Sequence, residues 1–166
     1  MSPRNEPISK FLSGSVVTAP KDASIAEIRR LMRQHELRYI PIMEGTLPVG
    51  LIGAPEVDAL DHLLGGDSVV AELVMRRGPY VVRSDAPLEA VTSKMVQGSY
   101  GAAIVTERSG SVVGVFSPSD VLRLLIRLIR GDEEPAADLE RSRRRELLDE
   151  RPPEVRIGDH AAGSLE

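Results

Sequence analysis

At 166 residues, with 42% hydrophobic but only 3% aromatic side chains, the chain suits one compact domain with a tail, and its core has to be built from Val, Ile, Leu, Ala and Met. The absence of cysteine excludes disulfides, thiolate metal sites and cysteine nucleophiles. The net charge of −4 is uneven: residues 132–166 hold 11 acidic and 6 basic side chains, a net −5, which leaves +1 for the remainder and no electrostatic footprint for broad nucleic-acid binding.

The opening segment, Met1 to Pro7, has no apolar signal-peptide core. Phe11-Leu12 forms an apolar lead-in to a short strand expected at Ser15-Val16-Val17-Thr18, followed by a turn at Pro20-Lys21-Asp22. Ile25, Ile28, Leu31 and Met32 then recur at helical spacing, with Glu27, Arg29, Arg30 and Arg33 on the opposite face. Two short apolar strands are expected over Arg38–Ile42 and Pro48–Ile52, joined by Glu44-Gly45-Thr46, and a second helix over Pro55–Leu64, stopped by Gly65-Gly66. A second series follows: a lead-in at Leu73-Val74-Met75, a strand over Tyr80–Arg83 and a helix over Pro87–Gln97. Strands over Gly101–Thr106 and Val112–Phe116 precede a last helix over Pro118–Arg130. That helix holds the most apolar stretch, Val121 to Ile129, which Arg123 and Arg127 interrupt and which is too short to span a bilayer; a cytoplasmic chain with no membrane partner is expected. Beyond it, residues 136–150 can form a helix with a thin apolar stripe, and the polar remainder is expected to be disordered.

The two series are copies. Asp22-Ala23-Ser24-Ile25 is answered by Asp85-Ala86-Pro87-Leu88, an offset of 63 residues that also pairs Met32 with Met95 and Gln34 with Gln97. After one inserted residue, Val49-Gly50-Leu51-Ile52 falls on Val113-Gly114-Val115-Phe116 at an offset of 64. Two copies of one β-α-β-β-α unit, at residues 1–66 and 67–131, are expected to pack on each other by a pseudo-two-fold into an α/β module, with residues 132–166 as an acidic tail. Ligand sites in such pairs lie in the groove between copies.

The element most able to do chemistry is the junction between the last strand and last helix of the second copy. Ser117-Pro118-Ser119-Asp120 reads as a helix N-cap with proline at the first helical position and an acid at the third. A hydroxyl beside uncapped N–H groups suits a phosphate, and an aspartate one turn in suits a sugar diol. Together they describe a nucleotide site. The repeated strand and Gly-h-h-Ser-x-x-Asp loop, over about Ile8 to Arg130, resemble a tandem pair of CBS domains, often called a Bateman module. The resemblance implies an adenosyl ligand (AMP, ADP, ATP, S-adenosylmethionine or NAD) held between the copies as a regulatory ligand rather than a cofactor. It gives Asp120 the ribose hydroxyls, Ser117 and Ser119 the phosphate, with Pro118 in the same loop, and Val81, Val82, Ala102 and Ala103 the neighbourhood of the base. Arg76, Arg77 and Arg83 flank the first strand of that copy as candidate phosphate contacts.

The first copy departs from the pattern. Gly53 stands in place of the hydroxyl and Glu56 in place of the aspartate, so a half-site there would rest on Gly53, Glu56, Ile40 and Pro41 without a phosphate donor. One competent site per chain is the expectation.

Plainer readings stand beside these. Ser117 and Asp120 can serve as a capping box alone, which contributes on the order of 1 kcal/mol. His35, His62 and His160 have no partners at metal-ligand spacing, so no metal is expected. Ser24, Ser84 and Ser99 lack the partners of a nucleophile, and no catalytic constellation is visible. Arg141 to Arg145 lies among Glu140, Glu146, Asp149 and Glu150, as in a salt-bridged solvated helix. Two functions remain: a ligand sensor that reports to an unnamed regulated protein and pairs into a homodimer through its last helix, or a structural interaction module whose site does not bind.

Overall fold

The computed structural model describes residues 3–13, 16–64 and 69–131. The expected Gly65-Gly66 helix stop, and the expected helix and disordered end within residues 132–166, lie outside the described residues.

The first repeat contributes β1 (Ala19–Pro20), α1 (Ile25–Gln34), β2 (Tyr39–Glu44), β3 (Leu47–Gly53) and α2 (Ala54–Leu64), continued by the short α3 (Ala71–Val74) and β4 (Arg76–Arg77). Its sheet has the order β1-β2-β3-β4, with β1 parallel to β2 and the other pairs antiparallel. The second repeat contributes β5 (Val81–Arg83), α4 (Leu88–Gln97), β6 (Ala103–Thr106), β7 (Val112–Phe116) and α5 (Pro118–Arg130). Here the order is β5-β6-β7, again parallel then antiparallel. Two mixed sheets thus repeat one topology, as the duplication in sequence requires.

Strand β1 begins at Ala19, downstream of the expected Ser15–Thr18, of which Ser15 lies outside the described residues and residues 16–18 belong to no strand. Pairing decides this over local β-propensity. Ala19 lies opposite Ile42 and Pro20 opposite Met43, and the Lys21 N–H donates to the Met43 carbonyl at 3.2 Å.

Helices α1 and α4 show why the copies fold alike. Ser24 caps α1 by accepting from the Glu27 N–H at 3.1 Å, and Ile25, Ile28 and Met32 are buried beneath it. In α4 the buried face is Leu88, Val91 and Met95, the same positions one repeat later. Both helices end through a residue in the left-handed region, Glu36 at φ 53° and Ser99 at φ 51°. Each is followed by an N–H that reaches back over the helix end: Leu37 to the Met32 carbonyl at 2.8 Å, and Tyr100 to that of Met95 at 2.9 Å.

Each repeat has its own apolar core, but each core is completed by the segment leading into the other repeat. Fully buried Ile8 packs with Leu88, Val91, Val105 and Phe116 of the second repeat. Its N–H donates to the Ala86 carbonyl at 2.8 Å, and the Leu88 N–H donates to the Glu6 carbonyl at 2.9 Å. Reciprocally, Ala71 and Met75 enter the core of the first repeat, where the Ala71 N–H donates to the Ala23 carbonyl at 2.8 Å. Ile8 and Ala71 are 63 residues apart, as are Leu12 and Met75, so the exchange obeys the repeat. A third cluster, Leu51 with Ala102 and Ile104, joins the two sheets.

Candidate functional site

The lead-in exchange brings the N-terminal segment to the start of α5. Leu12 lies over Gly114 of β7, where a Cβ would stand 2.5 Å from Leu12 Cδ1; glycine is what lets the segment approach. Met75 lies over Gly50 of β3 in the same way. Leu12 is followed by Ser13, which therefore arrives beside Asp120.

Asp120 is buried, its side chain 3% exposed, at the third position of α5. Its Oδ2 accepts from the Ser117 N–H at 2.7 Å and from the Ser117 hydroxyl at 2.8 Å. Its Oδ1 accepts from the Ser13 hydroxyl and from Arg123 Nη1 at 3.1 Å. Arg123 also donates to Ser13 Oγ at 2.6 Å, which closes a triangle of Ser13, Asp120 and Arg123. Burial of a carboxylate costs heavily unless it is paired and hydrogen-bonded, and these four donors, one of them a guanidinium, meet that requirement. A carboxylate offers about four lone-pair positions, so Asp120 is saturated by the protein itself.

The expected site residues are therefore brought together in part. Ser117 and Asp120 are in contact; Pro118 is exposed and Ser119 half-buried in the same first turn. Strand alternation divides the apolar candidates between two faces. Ala102 belongs to the cluster joining the sheets and Val81, paired with Ile104, is 40% exposed, whereas Ala103 and Val82 pack into the second repeat's own core. The three candidate arginines are each engaged by a carboxylate. Arg76 lies 3.9 Å from Glu56, Arg77 3.5 Å from Glu72, and Arg83 Nε donates to Asp85 Oδ1 at 3.0 Å. The Arg83 hydrogen bond holds the Asp85 carboxyl below the usual carboxylate range.

In the first repeat, Glu56 folds back over Gly53: its Oε2 is 2.6 Å from where a Cβ on Gly53 would sit. The carboxylate thus occupies the space next to the missing hydroxyl, and its Oε1 faces Arg76. Ile40 is in the first core, and Pro41 is fully buried next to it. Arg76 is the repeat counterpart of Ser13, 63 residues on, while Ala59 stands where Arg123 stands, 64 residues on. The cation has moved from the helix in one copy to the lead-in in the other.

Sequence reasoning missed Ser13 and the partnership of Arg123. Arg123 lies three residues after Asp120 on a helix, a spacing that brings side chains together and was readable. Ser13 carries no motif; only the alignment of Leu12-Ser13 with Met75-Arg76 marks it. Among the described residues no group of His, Cys, Asp or Glu is arranged to hold a metal, and no helix is long and apolar enough to cross a membrane.

The family model described as CBS domain matches residues 8–55 and 70–127. A curated relative, the A-adding tRNA nucleotidyltransferase of Geobacter sulfurreducens, is 28% identical over 133 residues, which are 78% of this chain but 14% of that enzyme. The chain thus spans about one seventh of that relative's length. Among solved structures, the CBS domain pair of protein MJ0100, in complex with 5′-methylthioadenosine and S-adenosyl-L-methionine, is similar with a TM-score of 0.62 at 24% identity, over 72% of this chain and 94% of that one. The CBS domain of a bacterial CNNM/CorC family Mg2+ transporter, in complex with ATP, is similar with a TM-score of 0.64 at 16% identity, over 75% and 89%.

Proposed function

This chain belongs to the CBS domain family, as a tandem pair, and from that premise we propose that it is a regulatory module. It binds an adenosyl ligand at the Ser117–Asp120 loop of its second repeat and passes the occupancy of that site to a partner protein. The observation that carries this reading is the Asp120 carboxylate, buried at a helix start with hydroxyl donors on both of its oxygens. Hydroxyls are what a ribose diol would bring, so the carboxylate is already oriented and desolvated for that class of donor. The similar solved structures are complexes with 5′-methylthioadenosine and S-adenosyl-L-methionine or with ATP, all of which carry an adenine and a ribose diol. The first repeat is read as non-binding, because Glu56 fills the space over Gly53. The reading assigns the module no catalytic step, no cofactor and a cytoplasmic setting.

One observation favours a second reading, a structural module in which Asp120 only caps α5: its acceptor capacity is filled without a ligand. A thermal-shift series with AMP, ATP, S-adenosylmethionine and NADH separates the two. A ligand at a hundred times its dissociation constant adds about 2.7 kcal/mol to stability. Stabilisation by at least one of the four, abolished in Asp120→Ala, supports the sensor. No shift with any of them supports the structural module.

A further inference from the structure

Asp120 has four donors, and they are not equivalent. The Ser117 N–H is fixed by the backbone of the helix start, and Arg123 supplies the compensating charge. The remaining two are serine hydroxyls, one on each carboxylate oxygen: Ser13 on Oδ1 and Ser117 on Oδ2. Hydroxyls rotate, and each can leave the carboxylate without leaving a buried charge unpaired. A vicinal diol offers two hydroxyls to one carboxylate, the number that these serines occupy.

Resting on the sensor reading above, we propose that Ser13 is an internal competitor for the ribose position and that ligand binding displaces it from Asp120. Incoming diol hydroxyls replace Ser13 on Oδ1 and Ser117 on Oδ2, and the Ser117 hydroxyl is thereby freed to turn toward an anionic group of the ligand. Ser13 keeps Arg123, itself on α5, as its partner at 2.6 Å, so the side-chain hydrogen bonds tying Ser13 to α5 fall from two to one. Because Ser13 ends the lead-in that begins with the buried anchor Ile8, the N-terminal segment feels whether the site is filled. The first repeat has no such device, since an ion pair of Arg76 with Glu56 stands at the matching place.

The test is the affinity of Ser13→Ala and Ser13→Thr for AMP and for ATP, measured by isothermal titration calorimetry on the full chain. Removing a competing hydrogen bond of ordinary net strength predicts tighter binding to Ser13→Ala by about three- to tenfold, with Ser13→Thr, which keeps the hydroxyl, close to the parent. Binding by Ser13→Ala where the parent shows none also supports the proposal. Equal affinity of parent and Ser13→Ala overturns the competition while leaving the sensor reading intact, and so does weaker binding, which makes Ser13 a ligand contact instead. Failure of every protein to bind either nucleotide overturns the competition, and the sensor reading falls with it only if S-adenosylmethionine and NADH fail to bind as well.

Discussion

Ser99 and Asp120 show how single positions serve two different demands. Ser99 lies at φ 51°, where a side chain is sterically disfavoured, and it is exposed. Ser99→Gly is expected to raise stability by about 0.5–1 kcal/mol in urea denaturation, because glycine enters that region without penalty. A loss of stability would mean that the end of α4 is held by the serine side chain instead. Asp120 was legible in the sequence as an acid at the third position of a proline-started helix, since capping chemistry is local. Its saturation was not legible, because Ser13 reaches it from 107 residues away. The division of Ala102 and Ala103 between the sheet junction and the core follows from strand alternation, but which alanine faces which way depends on where β6 begins.

At the scale of elements, the two lead-ins bind the repeats into one folding unit. The longer strands and helices and their order could be read from the duplication and from apolar periodicity, whereas the short α3 and β4 and the place of β1 could not. The exchange could not, because Ile8 and Ala71 sit in short, unremarkable stretches whose partners lie in the other copy. Ile8 is fully buried among Leu88, Val91 and Phe116, so Ile8→Ala is expected to cost about 2–4 kcal/mol. The loss should appear as faster amide exchange in β6 and β7, far away in sequence. Faster exchange confined to the first dozen residues would contradict the exchange of lead-ins as a structural necessity. The strand first expected at Ser15–Thr18 teaches the same lesson on a smaller scale: β-branched residues suggest a strand, but the register with β2 sets where it lies.

At the scale of the whole molecule, α5 is the element through which we propose that the site reaches a partner. It starts at Asp120 and continues into an exposed aliphatic face, with Leu122, Leu125, Leu128 and Ile129 between 49% and 76% exposed. A second copy is the occupant we assign to this face, since an aliphatic surface of this kind in a compact chain calls for burial. Sedimentation should show a dimer at micromolar concentration that Leu125→Glu dissociates; a monomeric parent would remove the assignment. A dimer built on α5 would place the Ser13–Asp120–Arg123 triangle at the root of the interface helix, so that a ligand with unequal affinity for two arrangements of α5 could shift their populations. The central claim is that the second repeat alone holds an adenosyl ligand through Asp120. Calorimetric titration of AMP, ATP and S-adenosylmethionine into the parent and Asp120→Ala tests it most directly. The account predicts one site per chain for at least one of these ligands, abolished by the substitution; two sites per chain, or binding that survives Asp120→Ala, would contradict it.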